Sequence, residues 1–323
     1  MTRLTTFAAA LALTFGAGAA GAQQSWNMAT PYPDATFHTQ NVREFVEDIN
    51  EATDGAIEVQ VHSAGSLVEH PEIKRAVRTQ QVQMGEIFIS LLGNENPVFA
   101  VDSVPFLATS YDEAERLWEA SRPKIEELLA EDGIKLLYAV PWPAQGLYTN
   151  REVDSVDDLE GLSFRAYNAT TSRLAELLDM QATQVEVPEI PQAFSTGIIN
   201  AMVTSPTTGV NSQAWDFVDN FYDIRAWIPK NMVVINQQVW DGLDEDTQDA
   251  ILTAAEEAEE RGWAMSREEA DKQKAALEDN GMNVIEPSET LVEELNAIGE
   301  RMTEEWIEDA GADGRAIIDA YRE

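Results

Sequence analysis

The chain has 323 residues, of which 58 are acidic and 21 basic, and a formal net charge of −37. Its few lysines (Lys74, Lys124, Lys135, Lys230, Lys272 and Lys274) are scattered. That excludes nucleic acid as a partner, because phosphate contacts need clustered Lys and Arg. No cysteine is present, so neither a disulfide framework nor a Cys-type zinc site holds the fold, and the length suits two lobes rather than one core.

The amino terminus reads as a secretory signal peptide over residues 1–22. Arg3 precedes an apolar run at 7–15, and Ala20-Gly21-Ala22 is a small-residue cleavage pattern. The run is short for a bilayer span. The expected product is an exported, periplasmic protein cut after about Ala22. In that setting the acidity predicts a halophilic protein, whose self-repulsion salt relieves.

Periodicity then predicts a strand over 27–30, stopped by Pro31-Tyr32-Pro33, and a helix over 36–52 with Phe37, Val42, Phe45, Val46 and Ile49 facing inward. A strand at 57–61, a helix at 69–80, an apolar strand at 84–92, a helix at 111–130 broken at Pro123 and a strand at 134–140 follow. This β-α-β-α order implies an α/β fold with a mostly parallel sheet. After Pro141-Trp142-Pro143 a second set begins, with strands at 147–150, 163–166, 181–187 and 199–204. A helix over 213–221 and a strand over 232–235 come next. Last are a long charged helix over 247–280 interrupted near Gly262, a strand over 283–285 and a helix over 288–321. Internal repeats are absent.

The segment Gly161-Leu162-Ser163-Phe164-Arg165-Ala166-Tyr167-Asn168 is the most informative. Arg165 ends a short apolar strand just before a helix start, where open α/β sheets bind ligands. Its planar fork suits bidentate capture of a carboxylate. The alternative is an arginine paired to a structural Asp or Glu. Asn168 either bonds the ligand or caps the next helix.

Residues 158–168, the run Glu189 to Gly197 followed by Ile198-Ile199-Asn200-Ala201, and the upstream pieces Gly65-Ser66-Leu67, Gln83-Met84-Gly85 and Val104-Pro105-Phe106-Leu107 together resemble the solute-binding proteins of TRAP (tripartite ATP-independent periplasmic) transporters. The resemblance covers most of the mature chain. It implies a two-lobed periplasmic binding protein fold with discontinuous lobes, a central ligand cleft and hinge closure. Residues 23–142 plus 231–272 form one lobe, and 143–230 plus 273–323 the other. It also implies that Arg165 grips an organic acid, that the protein is a non-catalytic monomer, and that membrane permease subunits take the solute onward, driven by an ion gradient.

Two departures narrow the ligand. Many relatives carry a second arginine where this chain has Gln145, and the family asparagine falls on Thr204 or Ser205. These groups bond an oxygen but add no positive charge, so a small monocarboxylate is expected. The aromatics Tyr32, Phe37, Phe88, Trp142, Tyr148, Tyr167 and Trp215 gather at predicted lobe edges. Tyr32 and Trp142, set between prolines, are candidates to stack on the ligand. Glu86 and Glu95 read as surface charges; if they face the cleft, a small amine or amino alcohol becomes the alternative ligand. His38, His62 and His70 read as scattered surface residues, and no metal or cofactor is expected. Neither a G-x-S-x-G elbow nor a nucleotide-binding loop is present, which counts against a secreted hydrolase. An ABC-type binding protein is disfavoured by the Arg165 segment.

Overall fold

The structure is a computed structural model describing residues 23–323. The signal-peptide reading of 1–22 lies outside the described residues. The chain begins with β1 (Gln24–Ala29), α1 (Phe37–Ala52), β2 (Ile57–His62), α2 (Ile73–Arg78), β3 (Met84–Phe88), α3 (Tyr111–Glu131) and β4 (Ile134–Pro141). It continues with β5 (Gly146–Thr149), β6 (Ser163–Ala166), α4 (Ala169–Leu177), β7 (Gln181–Gln184), α5 (Ile190–Ser195), β8 (Ala201–Thr204), α6 (Pro206–Asn211) and β9 (Asn220–Tyr222). It ends with β10 (Lys230–Asn236), α7 (Gln237–Asp241), α8 (Glu245–Asp279), β11 (Asn283–Ile285) and α9 (Glu289–Arg322).

Two sheets result, ordered β2-β1-β3-β10-β4 and β11-β9-β5-β8-β6-β7. Each defines a lobe. Both are mostly parallel, as the element order predicts, with one reversed strand in each, β10 in the first and β5 in the second. β1 pairs in parallel with β2 and β3, but β10 lies antiparallel between β3 and β4. The cause is a return crossing: β10 comes back from the second lobe and enters the first sheet against the direction of its neighbours. In the second sheet β5 is antiparallel to β8 and β9, while β6 is parallel to β7 and β8.

The chain passes between lobes at 141–146 and again at 222–230. α8 packs on α1 and β4 of the first lobe and on α6 and β11 of the second. α9 starts where Ser288 Oγ donates to Asp154 O (2.6 Å). It ends where Tyr321 Oη donates to Leu107 O (2.9 Å) and Lys124 pairs with Asp313 (3.2 Å). The terminal helix thus touches both lobes, whereas the sequence division places 273–323 with the second.

Three further local readings change. α8 runs through Gly262 without interruption. A Cβ there would sit 2.3 Å from Val140 Cγ2, so the glycine serves close approach of helix to sheet and not a break. α3 likewise continues through Pro123; one missing N–H donor does not end a helix packed along β4 and α9. Residues 213–221 are not helical. Gln213 is left-handed (φ 53°), a short 3₁₀ turn spans Ala214–Asp216, and Asn220–Tyr222 is a strand. Pairing with β5 buries Phe221 and Tyr222, and that gain overrides the helical pattern.

Candidate ligand cleft

β6 is short and flanked by β7 and β8, so its carboxyl end delivers Arg165 to the space between the lobes. Arg165 is 2% exposed. Its Nε donates to Val185 O at 3.0 Å, and the guanidinium lies 4.9 Å from the Tyr167 ring centroid. Among the described residues it forms no ion pair, and its terminal nitrogens bond no protein group. The alternative of a structural carboxylate partner is therefore not what the structure shows. Burial pushes its pKa down to about 10, opposed by Tyr167, Glu186 and Tyr32. It remains a cation at neutral pH.

Arg165 lines a cleft cavity together with Tyr32, Phe88, Trp142, Gln145, Thr204 and Ser205. These are seven of the nine site residues expected from the sequence. Gln145 is anchored by its Nε2 on Pro143 O (2.9 Å), which leaves its side-chain oxygen for another donor. Ser205 caps α6 by accepting from Thr208 N at 3.1 Å. The Thr204 hydroxyl bonds no protein atom among the described residues.

The other two expected residues lie elsewhere. Asn168 caps α4, its Oδ1 accepting from Thr171 N (2.8 Å). Its Nδ2 donates across the cleft to Ser90 Oγ (2.9 Å), but it does not line the cavity. Glu86 is neither a surface charge nor a cavity residue. It is 1% exposed and borders a separate small void with His38 and Tyr138. The reason is again β10, which covers β3 from the far end of the chain. Glu95 is exposed and pairs with Lys74.

Behind the aromatic wall the polar groups are tied to one another. Tyr32 and Trp142 meet edge to face, with centroids 5.0 Å apart. Tyr32 Oη and Trp142 Nε1 both donate to Asn231 Oδ1, at 3.2 and 3.1 Å. Asn231 Nδ2 donates to Glu86 Oε1 at 2.7 Å, and Thr30 Oγ1 donates to Glu86 Oε2. Burial pushes the Glu86 pKa up to about 7, and these hydrogen bonds restrain the rise.

Sequence reasoning missed Asn231, His70, Glu186 and Thr208 as parts of this region. His70 is half-buried, lines the cavity and accepts from Phe88 N (3.3 Å). Desolvation lowers its pKa to about 4. His38 is buried, and its pKa is held well below the usual histidine value. Only Thr208 had a local signal, the Ser205-Pro206-x-Thr208 cap pattern. Among the described residues, no group of three or more His, Cys, Asp or Glu is placed to hold a metal, and no helix is long and apolar enough to cross a membrane.

Two sheets joined by several crossings, with a cavity between them holding one arginine that forms no ion pair among the described residues, define a two-lobed solute-binding protein. The chain belongs to the bacterial extracellular solute-binding protein family 7, whose model matches residues 28–309. It is similar to the Bordetella pertussis extracytoplasmic solute receptor DctP7, which binds pyroglutamic acid. They share 47% identity and a TM-score of 0.91, over 93% of this chain and 100% of that one. The Bordetella pertussis receptor DctP6, also binding pyroglutamic acid, shares 42% identity and a TM-score of 0.91, over 93% and 99% of the two chains. A marine metagenome TRAP solute-binding protein in complex with co-purified pyroglutamate shares 39% identity and a TM-score of 0.90, with the same coverage. The protein is thus a TRAP extracytoplasmic solute receptor. Its family is made of periplasmic transport proteins that bind small solutes and work with membrane permease subunits, and not of enzymes.

Proposed function

We propose that this receptor captures pyroglutamate, a small cyclic monocarboxylate, and hands it to a permease driven by an ion gradient. The observation that carries the reading is Arg165, the one Lys or Arg side chain lining the cavity, with no carboxylate partner among the described residues. One cation matches one carboxylate. A second carboxylate would be desolvated without compensation. The three receptors of 39–47% identity bind or contain pyroglutamate, which supports the same choice.

In this reading Arg165 grips the carboxylate, Gln145, Thr204 and Ser205 offer hydrogen bonds, and Tyr32, Phe88 and Trp142 cover the ring. The lobes close by a hinge at the crossings, and the Asn168–Ser90 bond joins them when shut. The amine reading has less support: Glu186 lines the cavity beside Arg165, but Glu86 sits behind the wall and Glu95 is paired on the surface.

Calorimetric titration with L-pyroglutamate, succinate and ethanolamine tests the proposal. Pyroglutamate is expected to bind tightest. Tighter binding of succinate or ethanolamine overturns it.

A further inference from the structure

The network behind the cleft fixes more than position. An indole N–H can only donate, so Trp142 Nε1 must meet the oxygen of Asn231 and not its nitrogen (3.1 Å). That settles the orientation of the Asn231 amide. Its Nδ2 then donates to Glu86 Oε1 (2.7 Å). The Tyr32 hydroxyl, 3.2 Å from the same Oδ1, faces an atom that only accepts. It must spend its single proton there, so the Tyr32 oxygen keeps only lone pairs for anything in the cavity it lines.

The other end of the relay is equally constrained. Thr30 Oγ1 accepts from Tyr32 N (3.4 Å) and donates to Glu86 Oε2. In its ionised form Glu86 accepts with both oxygens; when protonated, the oxygen facing Asn231 still accepts and the other donates to Thr30, so the Asn231 orientation holds in both forms. Thr30, Tyr32, Glu86, Trp142 and Asn231 are all at most 6% exposed. At that burial a flipped amide would set donor against donor with no water to relieve it.

We infer that Glu86 and Asn231 are positioning residues that set the selectivity of the cleft. By holding the Tyr32 hydroxyl as a pure acceptor, they favour a ring monocarboxylate with a neutral N–H beside its carboxylate over the same ring with oxygen there. The inference rests on the pyroglutamate reading and adds to it a discrimination between lactam and lactone. Neither residue touches ligand; Tyr32 does. Glu186 also lines the cavity and is a second acceptor in reach of the ligand, but it stands outside the relay, so the variants separate the two.

The test compares L-pyroglutamate with its lactone analogue, 5-oxotetrahydrofuran-2-carboxylate, by calorimetry on the full mature protein. The wild type should prefer the lactam by roughly tenfold or more, because a site built around a donor rejects the analogue lacking it. Tyr32→Phe should collapse that ratio, because the lactam loses its acceptor and the lactone does not. Glu86→Leu should also collapse it. Glu86→Gln should keep it, since the glutamine oxygen still accepts from Asn231. If Glu86→Leu does not fold, Tyr32→Phe and Glu86→Gln decide between them. An unchanged ratio in Tyr32→Phe assigns the N–H to Glu186 and overturns the inference, as does loss of the ratio in Glu86→Gln. Equal binding of lactam and lactone by the wild type overturns it while the pyroglutamate reading stands. Failure of pyroglutamate to bind at all overturns that reading itself.

Discussion

The two walls of the cleft treat their polar atoms in opposite ways. On the first lobe, Tyr32, Trp142, Asn231, Glu86 and Thr30 satisfy one another. On the second, Arg165 uses only Nε on the protein, and Thr204 leaves its hydroxyl unbonded among the described residues. The first wall is a finished surface whose shape and polarity are set before any solute arrives. The second holds its strongest donors in reserve. Side chains on the two walls should therefore fail differently when changed: the second in affinity, the first in stability and selectivity.

The sharpest contrast comes from Arg165. Arg165→Ala should weaken pyroglutamate binding by about 2–5 kcal/mol, the usual cost of removing one partner of a desolvated charge pair. Arg165→Lys should recover little, because an ammonium lacks the bidentate fork. Calorimetry on the folded variants reads this directly, and near wild-type affinity in both would move charge recognition off the second wall.

Glu86 gives the matching break on the first wall, read as stability against pH. Its pKa is raised in the folded protein from 4.5 to about 7, so between those values the native state holds a proton that the unfolded chain has released. The contribution is full below about 4.5 and fades as pH climbs through about 7. Relative to Glu86→Gln, which has no such proton, the wild type should lose about 3 kcal/mol over that window. Urea melts of both proteins at matched pH give the difference, and parallel profiles would mean that burial does not tax the carboxylate.

A smaller pair sharpens the distinction. Thr204→Val should cost about 0.5–1.5 kcal/mol of binding, one hydrogen bond's worth, with little change in melting. Trp142→Phe removes one of the two donors to a buried Asn231 oxygen and should cost a similar amount of stability instead. Measuring Kd and Tm for both variants checks whether the two effects fall on opposite sides.

What was legible in the sequence follows the range of the interactions. Arg165 stood out because strand end, arginine and helix cap lie within a few residues, but its role, and the places of Gln145, Thr204 and Ser205, were legible only through the family resemblance. Tyr32 and Trp142 were legible from their flanking prolines. Glu86 was misread because its burial depends on β10, which joins β3 from far downstream; the register pairs Val233 with Glu86. Asn231 was seen only as a crossing point for the same reason. Gly262 reads as a break in any local pattern, and only the nearness of Val140 shows why a long helix needs it. Asn168 satisfied two local readings at once, and the structure gives it the cap together with a bond to the opposite lobe.

Arg165 also has a consequence for the speed of capture. It is a deeply buried cation, and among the described residues the one Lys or Arg side chain lining the cavity, in a chain whose formal net charge is −37. From a distance an anionic solute meets repulsion, and feels the guanidinium only once it is inside the cleft. Diffusional encounter should therefore be slow in dilute buffer and quicken as salt shortens the Debye length from about 30 Å at 0.01 M to about 3 Å at 1 M. This is the reverse of ordinary electrostatic steering.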